Sequence, residues 1–270
     1  MDKRRAKLYL PSMDNAQGCK EKEVRLSSYT RPVIGLMSFP GSGNTWTRHL
    51  IQQMSGLATS SCYCDDMLRS NGFPFECHHE LFKTIVVKTH EFKHAQEYNF
   101  EKIILLIRNP YDAILSYANY LKRRHTGTAS TFELKQVVRG IFNHSIKWYG
   151  DLVDQTIHHF NGPVLVLQFD SMKTEMVRTL WKIAKFININ VTQKDIDCTM
   201  RLQEGNFHRN MTDKQHFYIL KEVYTKEMLM QMRDTVNKAN VILREAYNMD
   251  IDIGGETEQR LLTNTSILQS

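Results

Sequence analysis

The sequence predicts an α/β protein in which a central parallel sheet is flanked by helices and is followed by a helical C-terminal part. Apolar, strand-like runs alternate with segments of helical spacing as far as Lys185, which is the pattern of a parallel sheet in one domain. Beyond Lys185 the strand signals cease, and helical spacing continues through 213–247. The 270 residues, 41% of them hydrophobic, are enough for one substantial core.

The first unit of this pattern is a strand, a glycine turn and a helix. Residues 32–39, PVIGLMSF, form a strand-like run that ends in the turn at residues 40–43, PGSG. Trp46, Leu50 and Met54 then lie at helical spacing. Such a turn points free backbone N–H groups at one spot, so the sequence predicts an anion site there.

Three further strands are predicted at residues 84–88, 102–107 and 163–169. The run 102–107, KIILLI, is apolar on both faces, as a central parallel strand covered by helices should be. Asn109 as N-cap, with Pro110 next to it, predicts that a helix begins directly after this strand. Another amphipathic helix is predicted from Met176 to Ile187.

The two ends of the chain are expected to lie outside the folded domain. Residues 1–31 are polar and mixed in charge, which predicts a mobile N-terminal arm, and 250–270 form a polar tail, leaving 32–249 as the domain. The densest apolar stretch, 103–107, is far shorter than the roughly 18–20 residues that span a bilayer. Residues 1–31 also lack the apolar core of a signal sequence, so no membrane segment is expected.

The charge balance favours an anionic partner. There are 35 basic and 29 acidic residues, a net charge of +6. This excess alone does not distinguish nucleic acid, lipid, acidic sugar or a phosphorylated small molecule. Nucleic acid is disfavoured, because the basic residues that can be placed converge on one site rather than on a stripe interleaved with aromatic residues.

The cysteines leave several interpretations open. Five is too few, and odd, for a disulfide scaffold. Cys62, Cys64 and the Cys77-His78-His79 run could form a zinc site, although the spacing matches no standard ligand set. The other readings are free thiols or a local disulfide from Cys77 to Cys62 or Cys64, which would need an oxidising compartment. Glycosylation sequons, used only in a secretory lumen, occur at Asn143, Asn190, Asn210 and Asn264.

Two common phosphate-binding motifs are absent. No G-x-x-x-x-G-K-[ST] segment follows a strand, which argues against an ordinary nucleotide hydrolase or P-loop kinase. No G-x-G-x-x-G follows one either, which argues against a dinucleotide-binding domain.

Three segments in order carry a resemblance to a known family. They are FPGSGNTW at 39–46, VVKTH at 86–90 and IRNPYDAILSY at 107–117. Together they resemble sulfotransferases that use 3′-phosphoadenosine-5′-phosphosulfate (PAPS). With EGNFHR at 204–209, they are most similar to the sulfotransferase domain of the WSC-domain-containing family, which is associated with sulfation of sialic acid. The resemblance covers roughly 32–209 and implies a P-loop-like three-layer fold.

The resemblance implies that PAPS binds as co-substrate at the glycine turn and at the end of the third predicted strand. The turn would wrap the 5′-phosphosulfate, the tryptophan would lie against adenine, and the arginine and serine of the third segment would hold the 3′-phosphate. An arginine at the carboxyl end of a parallel strand is also well placed for an anion, because its planar fork of donors matches a phosphate. The expected binding residues are Gly41, Ser42, Gly43, Asn44, Thr45, Trp46, Arg108, Ser116 and Arg209.

His90 is the candidate general base, since sulfuryl transfer to a hydroxyl requires removal of the acceptor proton. Glu91 is the alternative base. Many relatives have a lysine where this chain has Gly41, and that lysine contacts the bridging oxygen of the leaving group. We therefore expect Lys88, with Arg48 as a further candidate, to stabilise charge on the leaving phosphate.

The sequence thus predicts a sulfotransferase that moves a sulfuryl group from PAPS to an acceptor hydroxyl without a metal ion. By resemblance the acceptor is a sialylated glycan and the location is the Golgi lumen or membrane; compartment and oligomeric state stay open. The basic run 122–125 is a candidate contact for an acidic acceptor. The alternatives are a nucleotide-binding relic that lost activity with the lysine, and a P-loop-type kinase.

Overall fold

A five-stranded parallel sheet lies at the centre of the computed structural model, which describes residues 18–205, 212–251 and 261. The strand order is β2-β3-β1-β4-β5, and every neighbouring pair is parallel. The strands are β1 (Ile34–Ser38), β2 (Ser60–Ser61), β3 (Val87–Thr89), β4 (Lys102–Ile107) and β5 (Val164–Gln168).

Helices connect the strands and cover both faces of the sheet. They are α1 (Asn44–Ser55), α2 (Asp66–Ser70), α3 (His94–Glu97), α4 (Pro110–Arg123), α5 (Thr131–His158), α6 (Phe169–Thr174), α7 (Met176–Phe186), α8 (Gln193–Arg201), α9 (Asp213–Val223) and α10 (Lys226–Tyr247). The predicted α/β class, with a parallel sheet and a helical C-terminal part, is confirmed.

The core forms two layers because side chains alternate along each strand. Met37 of β1 and Leu105 of β4 pack with α4, α5, α9 and α10 on one face. Leu36 and Ile104 pack with α1, α6, α7 and α8 on the other. Since all strands run the same way, the carboxyl ends of β1, β3, β4 and β5 meet at one edge of the sheet.

The strand predictions differ from the structure most at β3 and β2, whereas β1 and β5 are one or two residues shorter at each end than the predicted runs. β4 spans the predicted residues, whereas β3 begins at Val87 rather than Thr84. The residues before β3 are buried and bond a neighbouring segment instead, with Ile85 N donating to Ala58 O at 2.8 Å. The two-residue strand β2 has no counterpart among the predictions.

The segment 18–31 differs from the expected mobile arm. A disulfide joins Cys19 to Cys198 in α8. Lys22 pairs with Asp195 at 2.7 Å, and the buried Arg31 donates to Ile187 O at 2.8 Å. These contacts fasten 18–31 to the domain, and residues 1–17 lie outside the described part of the chain.

At the other end, part of the segment assigned to a polar tail packs against the domain. Ile251 and Leu261 are buried in the core layer of α5 and α10. Among the helices that the structure describes, none has the length and apolarity needed to cross a membrane.

The second disulfide joins Cys64 to Cys77, and Cys62 is a half-buried free thiol. Of the alternatives for these cysteines, the local disulfide is therefore the one present. It removes two of the three thiolates of the proposed zinc site, and the described residues include no group of three or more side chains placed to hold a metal ion.

Candidate active site

A cavity of about 1510 Å³ opens where the carboxyl ends of the strands meet. Its walls come from the turn after β1, the N-terminal half of α1, the ends of β3 and β4, and the loop between β2 and β3. Of the predicted site residues, the cavity brings together Gly41, Gly43, Asn44, Thr45, Trp46, Lys88, His90, Arg108 and Ser116.

The turn after β1 depends on two glycines with left-handed backbone angles. Gly41 has a φ of 83° and Gly43 has a φ of 90°. A Cβ at Gly41 would meet the carbonyl oxygen of Ala113 in α4, and one at Gly43 would meet the ring of Phe169. Glycine adopts these angles without steric cost, so the chain can turn into α1 in close contact with both neighbours.

This turn leaves the N-terminus of α1 uncapped by any side chain. The first N–H groups of a helix have no intrahelical acceptor, so they remain for an anion. Asn44 fixes the turn, because its Nδ2 donates to Leu36 O at 2.9 Å and to Ser38 Oγ at 3.1 Å. Its side chain is therefore directed back to β1, and only its backbone is left for a ligand.

Ser42 does not occupy its predicted position at the ligand. It is 1% exposed and does not line the cavity, and its Oγ has no hydrogen-bond partner among the described residues. Its backbone N–H donates to Phe39 O at 3.3 Å, which draws Ser42 inward in the turn. Thr45, by contrast, is half-buried on the cavity wall.

Arg108 lies at the end of β4 and contacts three parts of the site. Its Nη1 donates to Gly41 O at 3.0 Å, and its guanidinium lies 4.5 Å from the centre of the Phe169 ring. Its Nε is buried with no hydrogen-bond partner in the described structure. The hydroxyl of Tyr149 in α5 donates to Arg108 O at 2.9 Å and fixes the strand end.

A carboxylate holds Arg108 in place from α4. Asp112 Oδ2 lies 3.5 Å from Arg108 Nη2, and Asp112 Oδ1 lies 2.6 Å from His216 Nε2. Burial opposes ionisation of Asp112, but the bond from His216 and the charge of Arg108 outweigh it and hold the pKa of Asp112 well below its usual range. Asp112 therefore stays an anion and orients the arginine fork.

Aromatic and basic residues after β5 complete this side of the cavity, and sequence reasoning missed them. Trp46 packs edge to face on Phe169 at 5.6 Å, and its Nε1 donates to Gln203 O at 2.9 Å. Lys173 Nζ lies 4.5 Å from the centre of the Phe169 ring. Because Phe169 is the last residue of the predicted strand 163–169, its place at the carboxyl edge was a signal that could have identified it.

His90 follows β3 and is held in one orientation. Its Nδ1 lies 2.7 Å from Ser38 O and donates to it, so Nε2 is the nitrogen without a proton in the neutral ring. Trp148 Nε1 donates to His90 O at 3.0 Å. Burial and the charge of Lys88 lower the pKa of His90 to about 3, so the ring is neutral at physiological pH.

Lys88 lies in β3 beside Leu36 of β1 and is 8% exposed. Its Nζ has no hydrogen-bond or ion-pair partner within 18–205, 212–251 or 261. Burial and the nearby Arg48 guanidinium lower the pKa of Lys88 to about 8. A largely dehydrated ammonium without a partner suits an incoming anion.

Arg48 does not reach the cavity, so the expectation that it stabilises charge on the leaving phosphate together with Lys88 is wrong. It is fully buried, does not line the cavity, and pairs with Glu76 at 2.6 Å. Its position on the sheet side of α1 directs it between the helix and the β2 region, where Nε donates to Thr59 Oγ1 at 2.9 Å. Glu91, the alternative base, lines the cavity but pairs with Lys93 at 2.6 Å, which lowers its pKa.

The basic run 122–125 divides between the cavity and the surface. Arg124 and His125 line the cavity, and His125 Nε2 lies 2.9 Å from Asp65 Oδ2. Arg123 pairs with Glu133 at 2.8 Å outside the cavity. The predicted binding residue Arg209 lies outside the described residues.

The described site suits a ligand with several anionic groups. The start of α1 has no side-chain cap, and the ammonium of Lys88 has no partner among the described residues. Arg108 adds a buried Nε without a partner to the donors that bond Gly41 and Asp112. His90 supplies a neutral proton acceptor beside them. The arrangement can therefore hold a polyanion and take a proton from a second molecule.

Residues 31–241 match the family model for the sulfotransferase domain. A WSCD family member of Aedes aegypti is 34% identical over 187 residues, 68% of this chain and 59% of the relative. One from Drosophila melanogaster is 33% identical over 183 residues, 66% of this chain and 57% of the relative. The chain thus spans less than two thirds of the length of either relative.

A solved structure has a similar fold. Mouse sulfotransferase SULT7A1, complexed with PAP, is 15% identical with a TM-score of 0.52. The similarity covers 89% of this chain and 90% of the mouse chain.

Proposed function

Because the chain belongs to the sulfotransferase domain family, we propose that it moves a sulfuryl group from PAPS to a hydroxyl of an acceptor. One observation carries the proposal. His90, with Nε2 left as proton acceptor, and Lys88, an ammonium without a partner in the described structure, line one cavity beside the glycine turn. A base, a cation and an anion cradle are the parts that sulfuryl transfer to a hydroxyl requires.

The nucleotide is held by the two groups of anion donors. The N–H groups at the start of α1 and the hydroxyl of Thr45 bind the 5′ end, and Arg108 with Ser116 binds the 3′-phosphate. Asp112 keeps Arg108 oriented, which limits the entropy lost when a phosphate binds. Trp46 and Phe169 give the adenine an apolar surface.

PAPS supplies the sulfuryl group as an activated anhydride with phosphate. His90 Nε2 takes the proton of the acceptor hydroxyl, while Ser38 O accepts from Nδ1 and keeps the ring in the required tautomer. Lys88 stabilises the negative charge that grows on the leaving phosphate. The chain thereby replaces the lysine missing at Gly41 with one from the neighbouring strand.

For the acceptor we propose a sialylated glycan. The supporting observations are the similarity to WSCD family members and the character of the cavity wall around His90. Tyr63, Tyr120 and Trp148 offer aromatic faces for sugar rings, and Arg124 offers a cation for a carboxylate. The two disulfides in the described structure support an oxidising compartment, such as the Golgi lumen proposed from the resemblance.

Two measurements test this function. Calorimetry compares adenosine 3′,5′-bisphosphate with ATP and Mg²⁺, and tighter binding of the bisphosphate is expected; the reverse order would favour a P-loop-type kinase. Transfer of label from ³⁵S-PAPS is then measured on a sialylated glycan and on the same glycan after sialidase treatment. Label on the sialylated glycan alone is expected, and tight bisphosphate binding without transfer to any hydroxyl acceptor would identify a relic.

A further inference from the structure

A disulfide-closed loop, residues 64–77, forms one wall of the cavity. Cys64 and Cys77 are joined, and Asp65, Met67 and Phe73 are among the residues that line the cavity. A residue next to each half of the disulfide contacts a charged or basic side chain of interest: Tyr63 contacts His90, and Glu76 contacts Arg48. Tyr63 precedes Cys64, and Glu76 precedes Cys77.

Tyr63 contacts His90 in two ways. Its hydroxyl accepts the backbone N–H of His90 at 3.1 Å. Its ring stacks on the imidazole, with centroids 5.6 Å apart and planes 23° from parallel. The end of the loop next to Cys64 therefore fixes both the backbone and the ring of the proposed base.

Glu76 acts at the other end through Arg48. The two side chains are fully buried and form an ion pair at 2.6 Å. Arg48 also lies 4.3 Å from the centre of the Phe73 ring, which belongs to the same loop. A buried ion pair adds little stability over apolar residues of similar size, so stability alone does not explain why these two charges are present.

The ion pair lies near Lys88 in the fold. Arg48 Nε donates to Thr59 Oγ1 at 2.9 Å, and Ser61, two residues after Thr59, is the register partner of Lys88 in the sheet. The groups that act on Lys88 from its surroundings are Arg48 in α1, Glu76 and Asp65 in the loop, and His90 at the end of its own strand. Burial and Arg48 lower the pKa of Lys88, whereas Glu76 and Asp65 raise it. Glu76 thus partly offsets the lowering of the Lys88 pKa that the Arg48 guanidinium causes.

We propose that Glu76 is a positioning residue for sulfuryl transfer: by pairing with Arg48, it helps Lys88 to keep its positive charge. The Cys64–Cys77 disulfide holds Glu76 and Tyr63 in their positions relative to Lys88 and His90. This inference rests on the proposed function. It assigns an electrostatic role to a loop that contains none of the three family motifs. The loop also forms part of the cavity wall, so one disulfide connects that wall to Tyr63 and Glu76.

The test uses a readout that does not depend on activity. The rate at which acetic anhydride modifies Lys88 is measured against pH by mass spectrometry, in enzyme without substrates. For Glu76→Gln the midpoint of this curve is expected to fall by about one pH unit, since the Arg48 charge is then unopposed. Glu80→Gln is the matched control, because Glu80 is exposed, pairs with Lys83 at 3.3 Å and lies outside the cavity; its midpoint should stay at the wild-type value.

A second variant covers the case in which Glu76→Gln fails to fold. Arg48→Met with Glu76→Met removes both buried charges and leaves neither unpaired. The Lys88 midpoint should then lie above that of the wild type, because the Arg48 charge lowers it more than the Glu76 charge raises it. An unchanged midpoint in Glu76→Gln, or an unchanged or lowered one in the double variant, would overturn the proposed electrostatic link to Lys88.

The role of the Cys64–Cys77 disulfide is tested by measuring sulfuryl transfer. Replacing Cys64 and Cys77 with serine should lower kcat for transfer about tenfold or more, with the affinity for adenosine 3′,5′-bisphosphate kept within about twofold. Replacing Cys19 and Cys198 should leave kcat unchanged below the melting temperature, because that disulfide contacts neither His90 nor Lys88. An equal kcat in the Cys64/Cys77 variant and the Cys19/Cys198 variant would refute the proposed role of the Cys64–Cys77 disulfide. If the wild type itself transfers no sulfate, the proposed function fails, while the Lys88 curves still decide the role of Glu76.

Discussion

Lys88 gives the sharpest prediction, because its charge state and its role are linked. Burial and Arg48 lower the pKa of Lys88 to about 8, and the proposed role requires the protonated form. About 90% of the enzyme then carries the ammonium at pH 7 and about 9% at pH 9. The kcat/KM for PAPS, which reports the free enzyme, should therefore be nearly constant up to about pH 7, fall to about half at pH 8 and approach a tenfold fall per pH unit above about pH 9.

Two substitutions of Lys88 separate the effect of its charge from the effect of its shape. Lys88→Met removes the ammonium and should lower kcat by about 10² to 10³, the effect of removing one donor from a developing anion. Lys88→Arg keeps a positive charge at all working pH values, so the fall above pH 8 should disappear even though the larger fork lowers the maximal rate. Lys83→Met is the control, since Lys83 lies outside the cavity and pairs with Glu80.

The assay measures kcat/KM for transfer of ³⁵S from PAPS to acceptor from pH 6 to pH 10, because a bound anion would itself raise the pKa of Lys88. Calorimetry with adenosine 3′,5′-bisphosphate shows whether each variant still binds nucleotide. Near-normal turnover in Lys88→Met would refute the role given to Lys88. A wild-type profile that stays flat to pH 10 would show that the ammonium of this residue is not the group required.

Four further predictions follow from the described contacts. His90→Ala should lower kcat by about 10² to 10⁴ in transfer assays while nucleotide affinity stays within about twofold, since only the base is lost. Gly41→Ala should abolish nucleotide binding in calorimetry, because the added methyl meets Ala113 O at a φ of 83°. Arg108→Lys should weaken binding of adenosine 3′,5′-bisphosphate by about tenfold, since the planar fork is lost. Replacing Cys19 and Cys198 with serine should lower the free energy of unfolding by about 2 to 4 kcal/mol in denaturant titrations, with the nucleotide affinity of the folded enzyme retained.

The outcomes that would contradict these four predictions are equally specific. Transfer by His90→Ala at the wild-type rate would move the role of base to Glu91, which lines the same cavity. Normal nucleotide affinity in Gly41→Ala or Arg108→Lys would place the nucleotide elsewhere. Unchanged unfolding of the Cys19 and Cys198 variant would mean that the ion pair of Lys22 with Asp195 and the burial of Arg31 suffice to hold the segment 18–31.

The sequence was informative where local pattern determines structure. Lys102–Ile107 was predicted to the residue, because a run that is apolar on both faces has few alternatives to a buried strand. Asn109 caps α4 as its sequence neighbours predict, with its side chain accepting from Asp112 N at 2.9 Å. The placement of His90 and Arg108 at strand ends followed from the same reasoning.

Side-chain direction and long-range contacts could not be predicted in this way. Ser42 and Arg48 were expected at the ligand, but the turn draws one inward and Glu76 binds the other. Ser60–Ser61 becomes a strand only because β3 lies beside it. Tyr63 reaches His90 through a loop whose path depends on a disulfide, and the sequence left that pairing open.

The most direct test of the proposed activity is a single transfer experiment on the wild-type chain and on His90→Ala. Both are loaded with ³⁵S-PAPS and mixed with a sialylated glycan, and the label on the glycan is followed with time. Stoichiometric transfer by the wild type, with a rate at least about a hundredfold lower in His90→Ala, is expected. Absence of label on the acceptor from a wild type that binds PAPS tightly, or equal transfer by both proteins, would contradict the account.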